Sequence, residues 1–560
     1  MFVVVYFMYC MDTSVVSLAV IAVVPASFGW GVILEQLRVP RTLRILTFFI
    51  WLTATLWVAR VGMLRAYHDS IAHELIARRV VDSISPGIAQ LGTVWLPLPP
   101  LLLMPFVVFD GIWRLGISGA IVGVLYSQIC AGALYRAASM IGGNAAGWLA
   151  VIAFLSNPNV TYLFTTPLTE GSALAFFCLC GASMGIVIEG LWKKEARPGA
   201  LLAASAFAGA SLLCRYDGWM LALICGGIVL ILAWIRSGRR RLTEAVTLAY
   251  LVTPVSAIVL WLLYNLIIFG DALSFYRGQY SSAGIVDDLA IRGVIPTLNG
   301  KPPEVGRPLQ AIFTYAQAAG ENLGIVFAVL ALAGCMIAFT HVRQRPANLI
   351  CLVLAAPFIF YLIALTSGQS VIVTRALRPN GIFNVRYGAM VAPLAAVAVA
   401  ALIAPLKQAA WKAAIPVGIA VVIGNLLLLR EPLGPVVLAE GRLQQQAITA
   451  TASEEAAHWF AQMPHDGKVL IDESLEPQGQ LILVDGGRHL SDYLQSSTPA
   501  AWRIARITPP PDVSWIVTLG INSRDRPNDR VARDLVSPSG QINGFIPMFN
   551  NGEIVIYARG

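Results

Sequence analysis

Long apolar runs dominate the chain up to about residue 430. A helix that crosses a membrane needs roughly 20 apolar residues, and stretches of about that length recur along this region. They lie at 13–34, 45–64, 98–109, 117–135, 146–163, 171–191, 199–214, 219–235, 246–268, 323–340, 347–366, 389–405 and 412–430. The pattern predicts an all-α polytopic membrane protein with about 11–13 transmembrane helices.

The C-terminal part of the chain has a different pattern. Residues 453–463 show a capped amphipathic helix pattern, and short apolar runs follow at 468–471, 480–484, 515–519 and 553–558. Asn551-Gly552 predicts a hairpin before the last strand. We therefore predict three regions: an extra N-terminal span and cytoplasmic link at 1–44, a transmembrane domain at 45–430, and a small α/β soluble domain at 431–560.

Composition and charge support a membrane protein. The chain is 57% hydrophobic and 12% charged, whereas about 25% charged is usual for soluble proteins. Its net charge of +8 does not point to nucleic acid, because the basic residues gather in short links between spans, and such links stay in the cytoplasm. These residues are Arg38, Arg41, Arg44, Lys193, Lys194, Arg197, Arg236, Arg239, Arg240, Arg241, His341, Arg343, Arg345, Lys407 and Lys412. All eight cysteines lie in or beside apolar runs, so neither a disulfide framework nor a CxxC metal site is predicted.

This orientation places the remaining links on the outer face. They are residues 65–97, 164–170, 215–219, 269–320, 368–388 and everything after 431. The alternation of sides holds only if one segment between 98 and 163 fails to cross, and Pro99-Pro100 makes the first segment the candidate. Most of the unusual polar residues fall in these outer links, so candidate functional residues are expected there.

The first outer loop contains the sequence RAYHDSIAHEL directly after a span. If it is helical, Asp69 and His73 are four residues apart and share a face. A solvated loop helix is the alternative. The position of Asp69 at a span end, beside Tyr67 and ahead of Trp95, favours a functional acid.

Two further motifs carry charge at span boundaries. Glu170 ends the stretch NPNVTYLFTTPLTE, where it could serve chemistry or only interact with a helix dipole. Arg215 and Asp217 stand in LLCRYDGW, which is either a functional corner or a locked turn with Trp219 as an interfacial anchor.

Arg277 and Arg386 are each flanked by a tyrosine, Tyr276 and Tyr387, at an outer boundary. The planar guanidinium group gives two charge-assisted bonds to a phosphate. The alternative is that these arginines extend to lipid headgroups.

Taken in order, these motifs resemble those of the GT-C superfamily of polytopic glycosyltransferases, in particular protein O-mannosyltransferases and the lipid A aminoarabinose transferase. The likeness rests on YHDSIAH with Asp69, GTVWLPLPP, the TTPLTE stretch ending in Glu170, RYDGW and RYG, and it covers about residues 45–430. Many relatives have Asp-Glu where this chain has Asp69-Ser70, and often Asp where it has Glu170.

The resemblance implies transfer of a sugar from a polyprenyl-phosphate donor to an acceptor on the outer face, with inversion. It implies Asp69 as general base, Glu170 as a group that orients acceptor or sugar, and Arg277, Arg386 and Arg215 as donor-phosphate ligands. His73 could orient Asp69, or the two could hold a divalent metal. Further substrate contacts are expected from Tyr67, His68, Trp95, Asp217, Tyr276 and Tyr387.

Two other functions remain open from the sequence. A secondary transporter would also have about a dozen spans, but its polar groups tend to lie at the bilayer midplane between two corresponding halves. In a non-catalytic assembly protein Asp69 would have no functional role. The expected location is the inner (plasma) membrane with the C-terminal domain outside, and the expected partners are the lipid-phosphate donor, a glycan, lipid or protein acceptor and membrane lipids.

Overall fold

The structure is a computed structural model that describes residues 39–278, 281–377, 381–430, 434–449, 453–473, 475 and 478–560. The predicted N-terminal span at 13–34 lies outside the described residues. The described chain forms two compact units. The first contains residues up to 61, 93–99 and 120–440, and the second contains 62–92, 100–119 and 441–560.

Helices form most of the structure. In chain order they are α1 (Arg41–Arg60), α2 (His68–Arg79), α3 (Leu98–Val107), α4 (Asp110–Arg114), α5 (Ser118–Leu155), α6 (Pro158–Leu163), α7 (Thr169–Lys193), α8 (Pro198–Leu212), α9 (Asp217–Ser237), α10 (Arg240–Phe269), α11 (Ser274–Arg277), α12 (Ser282–Ile291), α13 (Pro308–Leu323), α14 (Ile325–Thr340), α15 (Ile350–Leu354), α16 (Ala356–Thr366), α17 (Ala392–Ile403), α18 (Ala410–Leu427), α19 (Val436–Thr449), α20 (Ser453–Phe460), α21 (Gln478–Asp485), α22 (Pro499–Ala505) and α23 (Arg530–Leu535). Short 3₁₀ helices occur at Ile88–Leu91, Pro346–Leu349, Val385–Val391, Ala404–Ala409, Leu428–Arg430, Leu490–Asp492 and Arg526–Asn528.

The first unit contains the membrane helices. Eight helices of the described residues are long and apolar enough to cross a membrane, and α13 with α14, bent by 117°, would make a ninth. The prediction of a polytopic, mainly helical membrane protein is confirmed. Helix α3 has only ten residues, or about 15 Å, which is shorter than a hydrocarbon core of about 30 Å.

Helix α5 reverses direction at two glycines. Gly142 and Gly143 have non-helical backbone angles, with φ of 76° at Gly143. A Cβ placed on Gly147 would lie 2.3 Å from Ser139 Oγ and 2.8 Å from Tyr135 Cδ2. Residues eight and twelve positions apart are separated by roughly 12 to 18 Å in a straight helix. The chain therefore folds back on itself here, and both halves of α5 pack side by side.

The second unit contains a five-stranded sheet in the order β2-β1-β3-β5-β4. Its strands are β1 (Lys468–Leu470), β2 (Tyr493–Leu494), β3 (Val513–Leu519), β4 (Phe545–Asn550) and β5 (Ile554–Arg559). Strands β1, β2 and β3 are parallel, and β4 and β5 form an antiparallel hairpin. Gly552, with φ of 86°, provides the turn of that hairpin, as the Asn-Gly pair predicts.

Three of the four predicted C-terminal apolar runs are strands, and the run at 480–484 belongs to helix α21. All five residues of that run are buried. A short run that is buried on every side shows neither the helical nor the strand period, so its pattern does not distinguish the two.

Candidate functional site

Charged residues from three separate sequence motifs meet in the interior of the first unit. Arg215 Nη1 donates to Glu170 Oε1 at 2.8 Å, and Arg386 Nε donates to the same oxygen at 3.3 Å. Glu170 is 1% exposed and Arg386 is 3% exposed. A single carboxylate oxygen therefore bridges two guanidinium groups that the sequence places in different motifs.

Helix ends bring these residues together. Glu170 lies in the first turn of α7, Arg215 in the turn between α8 and α9, and Arg386 in the 3₁₀ helix Val385–Val391. The opposite ends of α7 and α9 carry Lys193 and Arg236. The span that begins near Arg386 likewise ends at the basic link containing Lys407. The three residues therefore occupy helix ends opposite the basic links.

Two more carboxyl groups complete the arrangement. Arg386 Nη1 lies 3.1 Å from Glu440 Oε1, and Arg215 Nε lies 3.4 Å from Asp217 Oδ2. Glu440 also accepts the main-chain N–H groups of Asn384 and Arg386. We call Glu170, Arg215, Asp217, Arg386 and Glu440 the arginine cluster. This cluster contains two guanidinium groups and three carboxyl groups. Burial raises the pKa of Glu440, and Arg386 opposes this shift.

Stacked tyrosines support the two arginines. The guanidinium carbons of Arg215 and Arg386 lie 4.8 Å and 5.2 Å from the centre of the Tyr387 ring. Tyr361 stacks on Tyr387 at 5.2 Å, and Tyr315 stacks on Tyr361 at 4.9 Å. Arg215 also donates to the Tyr361 hydroxyl. A cation over an aromatic face is favoured electrostatically, so the stack holds both guanidinium groups on one aromatic surface.

Other predicted site residues of the first unit lie elsewhere in it. Arg277 and Tyr276 are exposed on the short helix α11. Trp95 is half-buried. It lies close to Thr93, whose hydroxyl contacts Asn265 and Ser274.

The second unit contains the predicted acid of the first outer loop. Helix α2 begins at His68, so Asp69 and His73 do share a helical face, as their spacing predicts. Asp69 is half-buried, and His73 is 2% exposed. Tyr67 precedes the helix and is fully buried. Burial lowers the pKa of His68, and the neighbouring Asp69 carboxylate opposes this shift.

Buried charges fix helix α2 within the second unit. Glu74 accepts from Arg65 Nε and from Ser118 Oγ. Arg78 pairs with Asp82 at 2.8 Å and with Asp110 at 2.5 Å, and its Nη1 donates to the carbonyls of Val107 and Val108. Both halves of the helix are thus anchored, which holds Asp69 in one position within this unit.

The described residues contain no group of three or more His, Cys, Asp or Glu side chains that could hold a metal ion. A pair formed by Asp69 and His73 would supply two ligands, which is fewer than structural or catalytic metal sites usually have. A divalent metal at this pair stays a prediction.

Sequence reasoning missed Glu440 of the arginine cluster and two of the tyrosines that stack beside it. Glu440 stands in the apolar stretch PVVLAEG after the last span, and Tyr361 and Tyr315 lie inside apolar helices. An acid in such a stretch is itself a signal of function, so Glu440 could have been found. The two tyrosines carry no comparable signal, because aromatic residues are common in membrane helices.

Solved structures of other membrane proteins have a fold similar to that of this chain. No sequence-family model matches the chain, and no curated protein matches it significantly in sequence. The crystal structure of ArnT from Cupriavidus metallidurans bound to undecaprenyl phosphate is similar, with a TM-score of 0.52, 14% identity, and coverage of 91% of this chain and 98% of that chain. The apo structure of the same protein gives a TM-score of 0.50, 12% identity, and coverage of 91% and 97%.

A more distant likeness is to the apo oligosaccharyltransferase of Archaeoglobus fulgidus, with a TM-score of 0.45, 11% identity, and coverage of 90% of this chain and 74% of that chain. At these identities the likeness concerns the fold alone, and the chain shares the fold of the two ArnT structures.

Proposed function

We propose that the protein is a membrane glycosyltransferase that moves a sugar from a polyprenyl-phosphate donor to an acceptor on the outer face, with inversion. The observation that carries the proposal is the convergence of Arg215 and Arg386 on Glu170 at helix ends opposite the basic links. ArnT, which has a similar fold, has been crystallised with undecaprenyl phosphate. A protein of this fold therefore binds a lipid phosphate of the proposed class.

The two arginines are the proposed ligands of the donor phosphate. Guanidinium groups form paired, charge-assisted bonds with phosphate oxygens, and they neutralise the charge that grows on the leaving phosphate. Every guanidinium nitrogen of Arg215 already contacts a protein group: Nε contacts Asp217, Nη1 contacts Glu170 and Thr169, and Nη2 contacts Tyr361. The donor phosphate must therefore compete with a carboxylate for this arginine.

Glu170 is the carboxylate for which this exchange is simplest, because its Oε1 serves both arginines. In the absence of donor it keeps the two guanidinium groups side by side. When the phosphate takes its place, Glu170 becomes available to orient the sugar or the acceptor. Arg277 is the proposed third arginine that serves the donor phosphate, and its exposed position suits it to attract the anionic donor as it approaches.

Asp69 is the proposed general base. The acceptor oxygen attacks the anomeric carbon while the bond from that carbon to the phosphate oxygen breaks. The acceptor proton passes to the Asp69 carboxylate, and the polyprenyl phosphate leaves with the bonding electron pair. Proton removal of this kind contributes roughly 10²-fold to 10⁴-fold in rate. His73, on the same face of α2, is proposed to orient Asp69, and Tyr67, His68 and Trp95 are proposed to contact substrate.

The outer placement of this chemistry rests on charge. Lys193, Arg236 and Lys407 lie at the helix ends away from the cluster, and basic links of this length stay in the cytoplasm. We propose that the cluster and the second unit face the extracytoplasmic side. The acceptor is then a glycan, lipid or protein of the cell envelope.

Replacement of Asp69 by asparagine tests the central chemical assignment. We expect Asp69→Asn to lower sugar transfer from a radiolabelled polyprenyl-phosphate sugar by at least about 10²-fold, with normal expression and an unchanged Tm. Glu454→Gln is the matched control, because it also removes a first-turn helix carboxyl of the second unit. Full transfer activity in Asp69→Asn would remove the assignment.

The donor class can be tested without knowing the acceptor. The lipids that co-purify with the protein, analysed by mass spectrometry, should include a polyprenyl phosphate or its sugar ester. Their recovery should fall in Arg386→Ala. Equal recovery from both proteins would contradict the proposed phosphate site.

A further inference from the structure

Four fully buried asparagines form a hydrogen-bond network inside the first unit. Asn157 Nδ2 donates to the carbonyl of Asn322 at 2.9 Å and to Asn425 Oδ1 at 3.3 Å. Asn159 Nδ2 donates to the same Asn322 carbonyl at 2.9 Å. Asn425 Nδ2 in turn reaches Ser156 Oγ at 2.8 Å. We call Asn157, Asn159, Asn322 and Asn425 the asparagine network.

The network satisfies the polar ends of several helices at once. Asn157 Oδ1 accepts two N–H groups at the start of α6. The Asn322 carbonyl belongs to the last turn of α13, and Val437, in the first turn of α19, donates its N–H to Asn159 Oδ1 at 2.9 Å. The first N–H groups and last carbonyls of a helix have no partner within that helix. A side-chain amide is both donor and acceptor, so one asparagine can serve two such ends.

Two members of the network reach the backbone beside the arginine cluster. Asn322 Nδ2 donates to the Val385 carbonyl at 2.7 Å, and Val385 directly precedes Arg386. Val437, held by Asn159, lies one helical turn before Glu440, which pairs with Arg386. The backbone on both sides of this ion pair is thus fixed by one carbonyl bond and one N–H bond from the network.

We propose that Asn159 and Asn322 are positioning residues for Arg386 and so determine how well the protein recognises the donor phosphate. The proposal rests on the proposed function for its kinetic consequence, whereas the positioning of Arg386 stands on the geometry alone. Replacing Asn322 by leucine keeps the side-chain size but removes the side-chain donor to the Val385 carbonyl. That loss shifts the 3₁₀ turn that carries Arg386.

Asn348 provides a matched control. It is 2% exposed, and its Nδ2 donates to the Ala338 carbonyl in α14 at 2.8 Å. It therefore has the same residue type, burial and kind of bond as Asn322. It lies beside the basic link containing Arg345, away from the cluster. Asn348→Leu should lower the Tm without affecting donor recognition.

The decisive experiment is a double-mutant cycle on the thermal unfolding of the full-length protein in detergent. Residues in one hydrogen-bond network are energetically coupled, and distant residues are not. We expect Asn322→Leu combined with Arg386→Gln to lower the Tm by less than the sum of the single losses. Asn348→Leu with Arg386→Gln should give the sum. Additive losses in the first pair would overturn the proposal, whether or not the protein transfers sugar.

A kinetic measurement adds a readout that a purely structural role would not change. The apparent KM for the polyprenyl-phosphate sugar should rise roughly tenfold in Asn322→Leu and change by less than about twofold in Asn348→Leu. If Arg386→Ala impairs donor kinetics, an unchanged donor KM in Asn322→Leu overturns the proposal. If Asn322→Leu fails to fold, Asn159→Leu tests the same idea through Glu440. If Arg386→Ala leaves donor kinetics intact although the cycle is non-additive, the proposed function fails and the positioning of Arg386 stands.

Discussion

The arginine cluster of the first unit and helix α2 of the second unit both bury charged side chains, but they pair them differently. In α2 two of the pairs join residues close in sequence, since Arg65 and Glu74 are 9 positions apart and Arg78 and Asp82 are 4 apart, whereas Arg79 pairs with Glu473, 394 positions away in the same unit. In the arginine cluster Glu170 pairs with residues 45 and 216 positions away. In α2 each of these carboxylates pairs with one arginine, whereas in the cluster one oxygen of Glu170 serves two.

We therefore assign different roles to the two sets of buried charges: those of α2 anchor the helix, and those of the arginine cluster are proposed to recognise the donor. A buried ion pair contributes little net stability, because removing charges from water costs about as much as their attraction gains. Stability alone therefore does not explain why two guanidinium groups meet at one carboxylate oxygen. The oxygen that Glu170 shares between two arginines is consistent with the proposed phosphate site, in which the donor phosphate would replace this carboxylate, whereas the pairs of α2 anchor that helix.

The largest effect is expected from Arg386→Ala. Loss of this guanidinium removes a group that would neutralise the departing phosphate, so kcat/KM for the donor should fall by about 10²-fold or more. The KM for the acceptor should change little. Steady-state transfer with each substrate varied in turn checks both statements, and an unchanged apparent donor affinity would argue against the phosphate role. Arg345→Ala, at the basic end of the same unit, is a suitable control for loss of an arginine.

The next effect should appear in stability rather than in donor use. Glu74 is fully buried, and its pKa is raised by burial although Arg65 opposes the shift. Glu74→Gln leaves Arg65 without its counter-charge, which costs about 3–5 kcal/mol for a buried pair. The Tm should drop by several degrees while the donor KM stays constant. A rise in donor KM at an unchanged Tm would break the distinction between anchor and recognition site.

Asp529 shows a third way to bury a carboxyl group, and it gives a pH test. It accepts the main-chain N–H groups of Leu519, Val531 and Ala532, and burial raises its pKa from 3.8 to about 6. Between these values the folded protein keeps a proton that the unfolded chain has lost. The contribution of Asp529 to stability therefore falls as the pH rises through this window.

Asp529→Asn cannot titrate, so it should remove this contribution to the pH dependence. Relative to the parent protein, its Tm should rise on going from pH 4 to pH 7. The corresponding change in the free energy of unfolding is about 1.4 kcal/mol for each unit by which the pKa of Asp529 differs between the folded and unfolded states. Unfolding scans of both proteins across that range provide the measurement. A constant Tm difference would show that Asp529 has the same pKa in the folded and unfolded states.

The arginine cluster could be predicted from the sequence only in part. Four of its residues are charges at the boundary of an apolar run: Glu170, Arg215, Asp217 and Arg386. A charge near the membrane interior is energetically unfavourable, so such residues are candidates for a functional role. Their common side followed from the basic links. The ion pairs between them could not be predicted, because the pattern of apolar and polar residues contains no information that α7, α9 and the turn before α17 lie together.

The fold could be predicted to a similar degree. The spacing of Asp69 and His73 correctly predicts one helical face in α2. The reversal at Gly142-Gly143 and the bend between α13 and α14 depend on single glycines with positive φ or on side-chain amides that satisfy helix ends. Apolar periodicity reports which face is buried and how long a helix is, and it contains little information on such breaks.

The smallest expected effect concerns Arg277, which the sequence grouped with Arg386. Arg386 is buried among carboxylates and a tyrosine ring, whereas Arg277 is exposed on α11. Charges in water are screened over about 10 Å at 0.1 M salt, so an exposed arginine acts mainly on the approach of an anionic donor. Arg277→Ala should raise the donor KM by roughly twofold to fivefold at low ionic strength, and the change should vanish near 0.5 M salt.

Arg386→Ala should lose donor use at every salt concentration, because its site is buried and therefore poorly screened. Donor kinetics of both variants over a salt series give the comparison. If the loss in Arg277→Ala persisted at high salt, Arg277 would be a direct phosphate ligand like Arg386, and the difference between the exposed and buried arginines would no longer indicate a difference in role.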